Sequence, residues 1–166
     1  MPIPFDSVAP YEAPIREVLV DEVLNPLHLD TLAFLDAVYL AHRNLTGPNF
    51  RDLHKTFGKF AAALDGYTDE IPEHVAMLGG LAVGTAEQIA DGSRLEPYPT
   101  DLTDGLAHCA AIADRCKALL AYYQAGLVKC DELGAAMTFD LINSIMRGIA
   151  HHAWFVQAHI RSGRRS

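Results

Sequence analysis

His42-Arg43-Asn44-Leu45-Thr46-Gly47-Pro48-Asn49-Phe50-Arg51-Asp52-Leu53-His54 holds the end of one helix, a break and the start of another. Gly47-Pro48 ends the first helix near Thr46, because glycine favours the left-handed turn past a helix end and proline lacks an amide donor. Asn49 can cap the helix that follows, with Asp52 three residues on. A break this short folds two helices back on each other. Residues at comparable distances on either side then face one another, and His42 and His54 are so placed.

Upstream, Leu32, Leu35, Val38, Tyr39 and His42 recur at steps of three and four and mark one helical face. Asn25 followed by Pro26 reads as a cap with proline at the first helical position, which starts that helix there. Before it lie an irregular arm over 1–12 and a short helix over 13–23. Downstream, Leu53, Phe57, Phe60, Ala61 and Leu64 give the second helix a buried stripe, and Gly79-Gly80 stops it. A connector over 81–99 carries a short segment, Thr85 to Ala90. Thr100, with Asp101 and Asp104, predicts a third helix to about Gln124 that turns Leu106, Cys109, Ile112, Cys116 and Leu120 inward. Gly126 to Asp131 reads as a turn, and the last helix runs from about Asp131 to Ile160. Nothing alternates like a strand. The expected fold is all-α, a four-helix bundle with a short helix in the long connection between its second and third helices. Such a crossover joins parallel neighbours, and growth-factor-like bundles share it.

The chain has 166 residues, 50% hydrophobic and 20% charged, enough for one sizeable core and too apolar for a disordered chain. One domain over 1–166 is expected. Thirteen Lys and Arg against twenty-one Asp and Glu leave a net charge of −8, which repels phosphate unless basic groups are gathered in one place. Cys109, Cys116 and Cys130 are odd in number and form no C-x-x-C pair, which points to a reducing, cytoplasmic compartment. The N-terminus has no basic run before an apolar stretch, so no leader is expected. No apolar run approaches the roughly 20 residues that cross a bilayer, so no membrane partner is expected either.

Eight histidines invite a metal reading. His28, His74, His108 and His159 read as surface or core groups. His151 and His152 are adjacent and point to different faces, so at most one could join a given site. His42 and His54, facing across the turn, are a plausible half of a metal centre. For iron the other half must be acidic. Asp69 and Glu73 are four apart, so both can reach one ion, although the same spacing is common on solvated helices. His54 and Asp69 share a helix fifteen residues apart, about 22 Å along its axis, so one ion cannot span the two pairs. Two copies can close the gap. If the helix over 49–79 packs antiparallel on its own copy about a two-fold, the His end of each meets the acid end of the other.

The stretch from His42 to His54 resembles the signature of the Dps family, the DNA-binding proteins from starved cells, or mini-ferritins. There a His precedes a Gly-Pro-Asn-Phe turn and a Leu-His pair, and a helix then carries Asp and Glu four apart and closes with Leu-Gly-Gly. The corresponding residues are Asp69, Glu73 and Leu78-Gly79-Gly80. Gly84-Thr85 is similar to the entry of the family's short connecting helix. Asp140-Leu141 and His151-His152-Ala153-Trp154-Phe155 are similar to its closing segment. The resemblance covers about residues 12–160. Three positions depart from the family. Arg43 stands where the family usually has Trp, Pro72 where it usually has Ala, and Gly58 where some members carry an extra acid. Pro72 also lacks the amide that would reach the Thr68 carbonyl, so a bend is expected there.

The resemblance implies a ferritin-like bundle and a hollow homo-dodecamer that oxidises Fe(II), preferably with hydrogen peroxide, and stores ferric mineral. It implies ferroxidase centres at two-fold interfaces, with His42 and His54 from one subunit and Asp69 and Glu73 from the other. One or two iron ions would sit at each, and zinc can substitute. Asp131 and Asp140 would line an iron-entry pore. Family members that bind DNA usually carry a lysine-rich N-terminal arm, which is missing here; Arg161, Arg164 and Arg165 in the tail over 161–166 are the candidate contacts, and binding should be weak. The compartment implied is the cytoplasm, with nucleoid association possible. The alternative is a Dps-like shell with weak ferroxidase activity that protects DNA structurally. A larger ferritin or a rubrerythrin would need Glu-x-x-His motifs, and the chain has none.

Overall fold

The structure, a computed structural model, describes residues 4–163, with backbone alone for 162 and 163. Its helices are α1 (Ala13–Val18), α2 (Asn25–Asn44), α3 (Phe50–Met77), α4 (Ala86–Gly92), α5 (Gly105–Glu132) and α6 (Ala136–Gly163). A π-helical stretch, Leu19–Leu24, joins α1 to α2 without a break. The four long helices form the bundle, with α2 against α3 and α5, and α6 against α3 and α5. The small α4 lies on α2 within the long connection.

The connection is a true crossover. Asp104, at the head of α5, is bridged to Thr46 in the α2–α3 turn. The head of α5 therefore sits at the end of the bundle where α3 begins, and α3 and α5 run parallel. The crossover is anchored midway by Asp30, a fully buried carboxylate on α2. It accepts from the Ser93 hydroxyl at 3.1 Å, the Arg94 amide at 2.7 Å and the Arg94 Nε at 2.9 Å. Thr85 and Gln88 close a capping box that starts α4.

The core follows most of the predicted stripes, although Leu32 and Leu106 are only half-buried. Leu35 and Val38 of α2, Leu53, Phe57, Phe60, Ala61 and Leu64 of α3, and Cys109, Ile112 and Cys116 of α5 are buried. All three thiols are free, and burial pushes their pKa up, to about 12 for Cys109 and Cys116 and about 11 for Cys130. They are core groups and stay protonated. Among the described residues no helix is long and apolar enough to cross a membrane.

Several predicted boundaries move. Asn25 is helical rather than a cap; its side chain donates to the Leu81 carbonyl and accepts from the Val83 amide, tying the crossover to the bundle. The missing amide of Pro26 falls next to the π-helical stretch, where the regular ladder is already interrupted. The cap of α5 is Asp104, which accepts from the Ala107 amide, and not Thr100. Gly126 lies inside α5 because a Cβ there would come within 3.3 Å of side-chain carbons of Leu27, Val23 and Ile142. The α5–α6 turn lies instead at Leu133–Ala135, where Gly134 takes φ +65°. Asp131 and Glu132 therefore end α5 instead of starting the last helix.

Candidate metal centre

His42 leaves α2 in its last turn, and His54 enters in the first turns of α3. The rings stack, with centroids 3.8 Å apart and planes 21° from parallel. His42 Nδ1 lies 2.8 Å from the main-chain carbonyl of His54, and His54 Nδ1 lies 2.9 Å from that of His42. A carbonyl only accepts, so each Nδ1 carries the proton and each Nε2 keeps its lone pair. Two half-buried imidazoles in a fixed tautomer offer a candidate pair of nitrogen donors. Phe50 stacks on His54 at 5.3 Å. Gly58 lies against His42, where an added Cβ would stand 3.1 Å from Cε1. That close approach is the function of Gly58, and sequence reading missed it. The available signal was a glycine in a helix interior, which costs about 1 kcal/mol against alanine and calls for a packing reason.

The turn between the histidines is clamped by the crossover. The Thr46 amide donates to the Thr103 carbonyl at 2.7 Å, and the Gly105 amide returns to the Thr46 carbonyl at 3.2 Å. The Thr46 hydroxyl adds a bond to Thr103 at 3.0 Å. Gly105 admits this approach, since a Cβ there would lie 2.6 Å from Leu53 Cδ1. Gly47 takes φ +107°, as the break required.

At the other end of α3, Asp69 and Glu73 are exposed, while Ile71 and His74 between and beside them are buried. His74 bonds Thr138 of α6 at 2.9 Å and is a core group, one of the two roles expected for it. The helix runs through Pro72 without interruption. Its C-terminal carbonyls are covered by the N-terminal arm. Phe5 N donates to Gly79 O, Val8 N and the Ser7 hydroxyl donate to Met77 O, and Arg16 donates to Leu78 O. Arg16, the first basic residue of the chain, is thereby committed to the fold.

Within one chain the structure brings His42 to His54 and sets Asp69 beside Glu73, but leaves the two pairs at opposite ends of α3. Among the described residues no three His, Cys, Asp or Glu side chains of one chain are grouped to hold a metal ion. Arg43 lies over the ring of Tyr39, 4.9 Å from its centroid. Asp131 and Asp140 line one hollow of about 380 Å³ with Phe139 and Cys130. Asp131 stands at the end of α5 where the helix dipole disfavours an acid, so capping does not explain it. Arg161 is exposed near the end of α6, and Arg164 and Arg165 lie outside the described residues.

A model of the ferritin-like domain matches residues 22–166. The chain is 31% identical over 121 residues to the DNA protection during starvation protein of Agrobacterium fabrum, covering 73% of this chain and 75% of that one. To the protein of the same name from Streptococcus suis it is 27% identical over 139 residues, 83% and 81% of the two chains. Among solved structures, DpsC from Streptomyces coelicolor superposes with a TM-score of 0.88 at 24% identity, over 93% of this chain and 90% of that one. An archaeal Dps homologue from Halobacterium salinarum reaches the same score at 19% identity, over 96% and 88%. These last two likenesses concern the fold.

Proposed function

The chain belongs to the Dps family of the ferritin-like superfamily, and from that membership we propose that it oxidises Fe(II) and stores the ferric product inside a closed homo-dodecamer. The observation that carries this reading is the reciprocal latch of His42 and His54, which commits both Nδ1 atoms to main-chain carbonyls and leaves the Nε2 of each stacked ring as the donor for a metal. In the assembly, Asp69 and Glu73 of a second copy complete each centre across a two-fold axis. Fe(II) is the substrate. Two histidines and two carboxylates suit it, because imidazole is a borderline ligand and the carboxylates offset its charge. Two ferrous ions give one electron each to hydrogen peroxide, its O–O bond breaks, and two protons are taken up as two waters leave. Oxygen is the alternative oxidant. The chain's part is to hold the ions together so that the electrons leave as a pair.

On this reading the whole chain, 1–166, is one ferritin-like domain with an arm over 1–12 and a tail over 161–166. Asp131 and Asp140 draw Fe(II) inward at the shell's pore by attraction. DNA contact falls to Arg161, Arg164 and Arg165, is weak, and drops steeply with salt. The compartment is the cytoplasm, with nucleoid association through that tail. Twelve chains of 18.1 kDa give a particle of about 217 kDa, which light scattering measures directly. The decisive assay adds peroxide to anaerobic protein and Fe(II) and follows ferric absorbance. His42→Ala and Asp69→Ala should each nearly abolish the rapid phase. A wild-type rate no faster than iron in buffer would overturn the reading.

A second reading has an observation of its own. Gly58 packs so closely on His42, with an added Cβ 3.1 Å from Cε1, that an acidic side chain there would have to push the ring. A shell with weak ferroxidase activity, protecting DNA structurally, is the alternative, and the same assay separates the two. Deleting residues 161–166 then tests whether DNA binding runs through the tail.

A further inference from the structure

A second cluster of cationic and imidazole side chains lies on the adjacent seam of the bundle, between α3 and α6. An open cavity of about 510 Å³ lies between the two helices. From α3 come Asp52, Lys55, Thr56 and Lys59, and from α6 come His151, His152 and Phe155. Lys55 and Lys59 are four residues apart, so they share a face. Both are exposed, and neither has a carboxylate partner among the described residues. In a chain of net charge −8, two unpaired ammonium groups lining one cavity run against the bulk charge.

The imidazoles are held by aromatic neighbours. His152 lies flat on Phe60, with centroids 5.0 Å apart and planes 14° from parallel. His151 meets Phe155 edge to face at 5.0 Å. Burial, then His151, then Lys59 hold the pKa of His152 below its ordinary value, so it shares the field of the cations around it. A metal cation would meet two ammonium groups there at short range. A carboxylate would offset one charge, with donors to spare. Thr56 spends its proton on the Asp52 main-chain carbonyl at 2.8 Å, which leaves the lysines and imidazoles as the donors.

We propose that the α3–α6 cavity binds a phosphate group, with Lys55 and Lys59 as charged donors and His151 and His152 as imidazole donors from the facing helix. Asp52 is the one acid in the lining and limits affinity. The site holds whether or not the chain oxidises iron. A phosphate group can come from free orthophosphate or from a nucleic-acid backbone, and the two sources are distinguishable.

The test is calorimetric titration of the assembled, metal-free, full-length protein with inorganic phosphate at low salt. Saturable binding to one site per chain is expected. Lys55→Gln/Lys59→Gln should weaken it at least about tenfold, because both charged donors go. Asp52→Asn should tighten it about threefold, and Lys129→Gln, whose lysine pairs with Glu22 elsewhere, should leave it unchanged. Repeating the titration in buffers of different ionisation enthalpy should show proton uptake on binding that shrinks in His152→Gln. Absence of saturable binding, or equal affinity of the wild type and the double-lysine variant, overturns the proposal. A duplex with hydroxyl ends is the second probe. Displacement of bound phosphate by it assigns the pocket to nucleic-acid phosphates, and binding of orthophosphate alone assigns it to the free ion.

Discussion

Each imidazole of the His42–His54 pair is held by the main chain of the residue that carries the other, through Nδ1 contacts of 2.8 and 2.9 Å to the opposite carbonyl. The two side chains therefore form one unit. The carbonyls that receive their protons belong to α2 and α3 on either side of a clamped turn, so the tautomer is set by the fold before any metal arrives. Removing either ring takes away one proposed nitrogen ligand and also the stacking partner of the other, 3.8 Å away. Effects at the two positions should be far from additive for that reason.

Gly58→Ala tests the pre-set geometry without touching a ligand. The added methyl would stand 3.1 Å from His42 Cε1 and must push the ring. Alanine is also the better helix former by about 1 kcal/mol, so the melting temperature should hold or rise. The expected outcome is a loss of about tenfold in the rate of peroxide-driven Fe(II) oxidation with stability kept. Gly66→Ala on the same helix has nothing within 4 Å of its new carbon and should raise stability with the rate unchanged. Equal rates in both variants would show that the position of the His42 ring does not govern oxidation.

Pro72→Ala separates the two readings of function. Proline in a helix interior costs about 3 kcal/mol against alanine, so the variant should melt higher by an amount up to that scale. α3 passes through Pro72 unbroken, and a working centre should then keep its rate within about twofold. A large gain in rate would mean that the native proline holds Glu73 off the ion and that the weak-shell reading is right.

Stability should fall on the acid side of neutrality. His28 and His108 are buried, and burial is the first cause holding the pKa of each below its ordinary value. Nδ1 of His28 has no hydrogen-bond partner among the described residues, so a second proton on that ring would bring an unpaired charge into the core. As pH falls, the unfolded rings, with pKa near about 6.5, bind protons first, and protonation favours unfolding. The contribution of the neutral rings is complete above about pH 6.5 and is lost as pH falls through the lower folded values. The melting temperature of metal-free protein should drop between neutral and mildly acid pH, with a shallower slope for His28→Gln. An unchanged slope in that variant would remove His28 from the account.

The elements that local chemistry dictates were legible in the sequence. Leu53, Phe57, Phe60, Ala61 and Leu64 repeat at helical spacing, and all are buried. Gly47-Pro48 breaks the chain where expected, and the comparable spacing of His42 and His54 about that break brought their rings into contact. Long-range partners decided the rest. Asn25 is a sound cap residue, but Leu81 and Val83 occupy its side chain from the crossover. Thr100 and Asp104 could both start α5, and the bridge from Thr46 to Asp104 selects the later one. Gly126 carries the composition of a turn, yet it serves close packing of α5 on Leu27 and Ile142. Periodicity also could not reveal the carbonyl latches, because they join main chain to side chain across the turn.

The proposed split of the centre between two copies makes the sharpest demand. Let one variant carry His42→Ala and His54→Ala, and a second carry Asp69→Ala and Glu73→Ala. Each homo-oligomer should be inactive, because every centre lacks half its ligands. In a mixed two-fold dimer one centre takes its histidines from the first variant and its acids from the second, and loses all four ligands. The other centre takes histidines from the second variant and acids from the first, and is whole. Random equimolar assembly makes half the dimers mixed, so roughly a quarter of the wild-type centres should return. Particles co-assembled from unfolded or dissociated chains should therefore recover activity, while mixing preformed shells should not. Differential tags establish that both variants share one particle. Co-assembly without recovered activity would sink the shared centre. The helix around Pro72 would then be the first place to look, since it sets where Glu73 stands relative to Asp69.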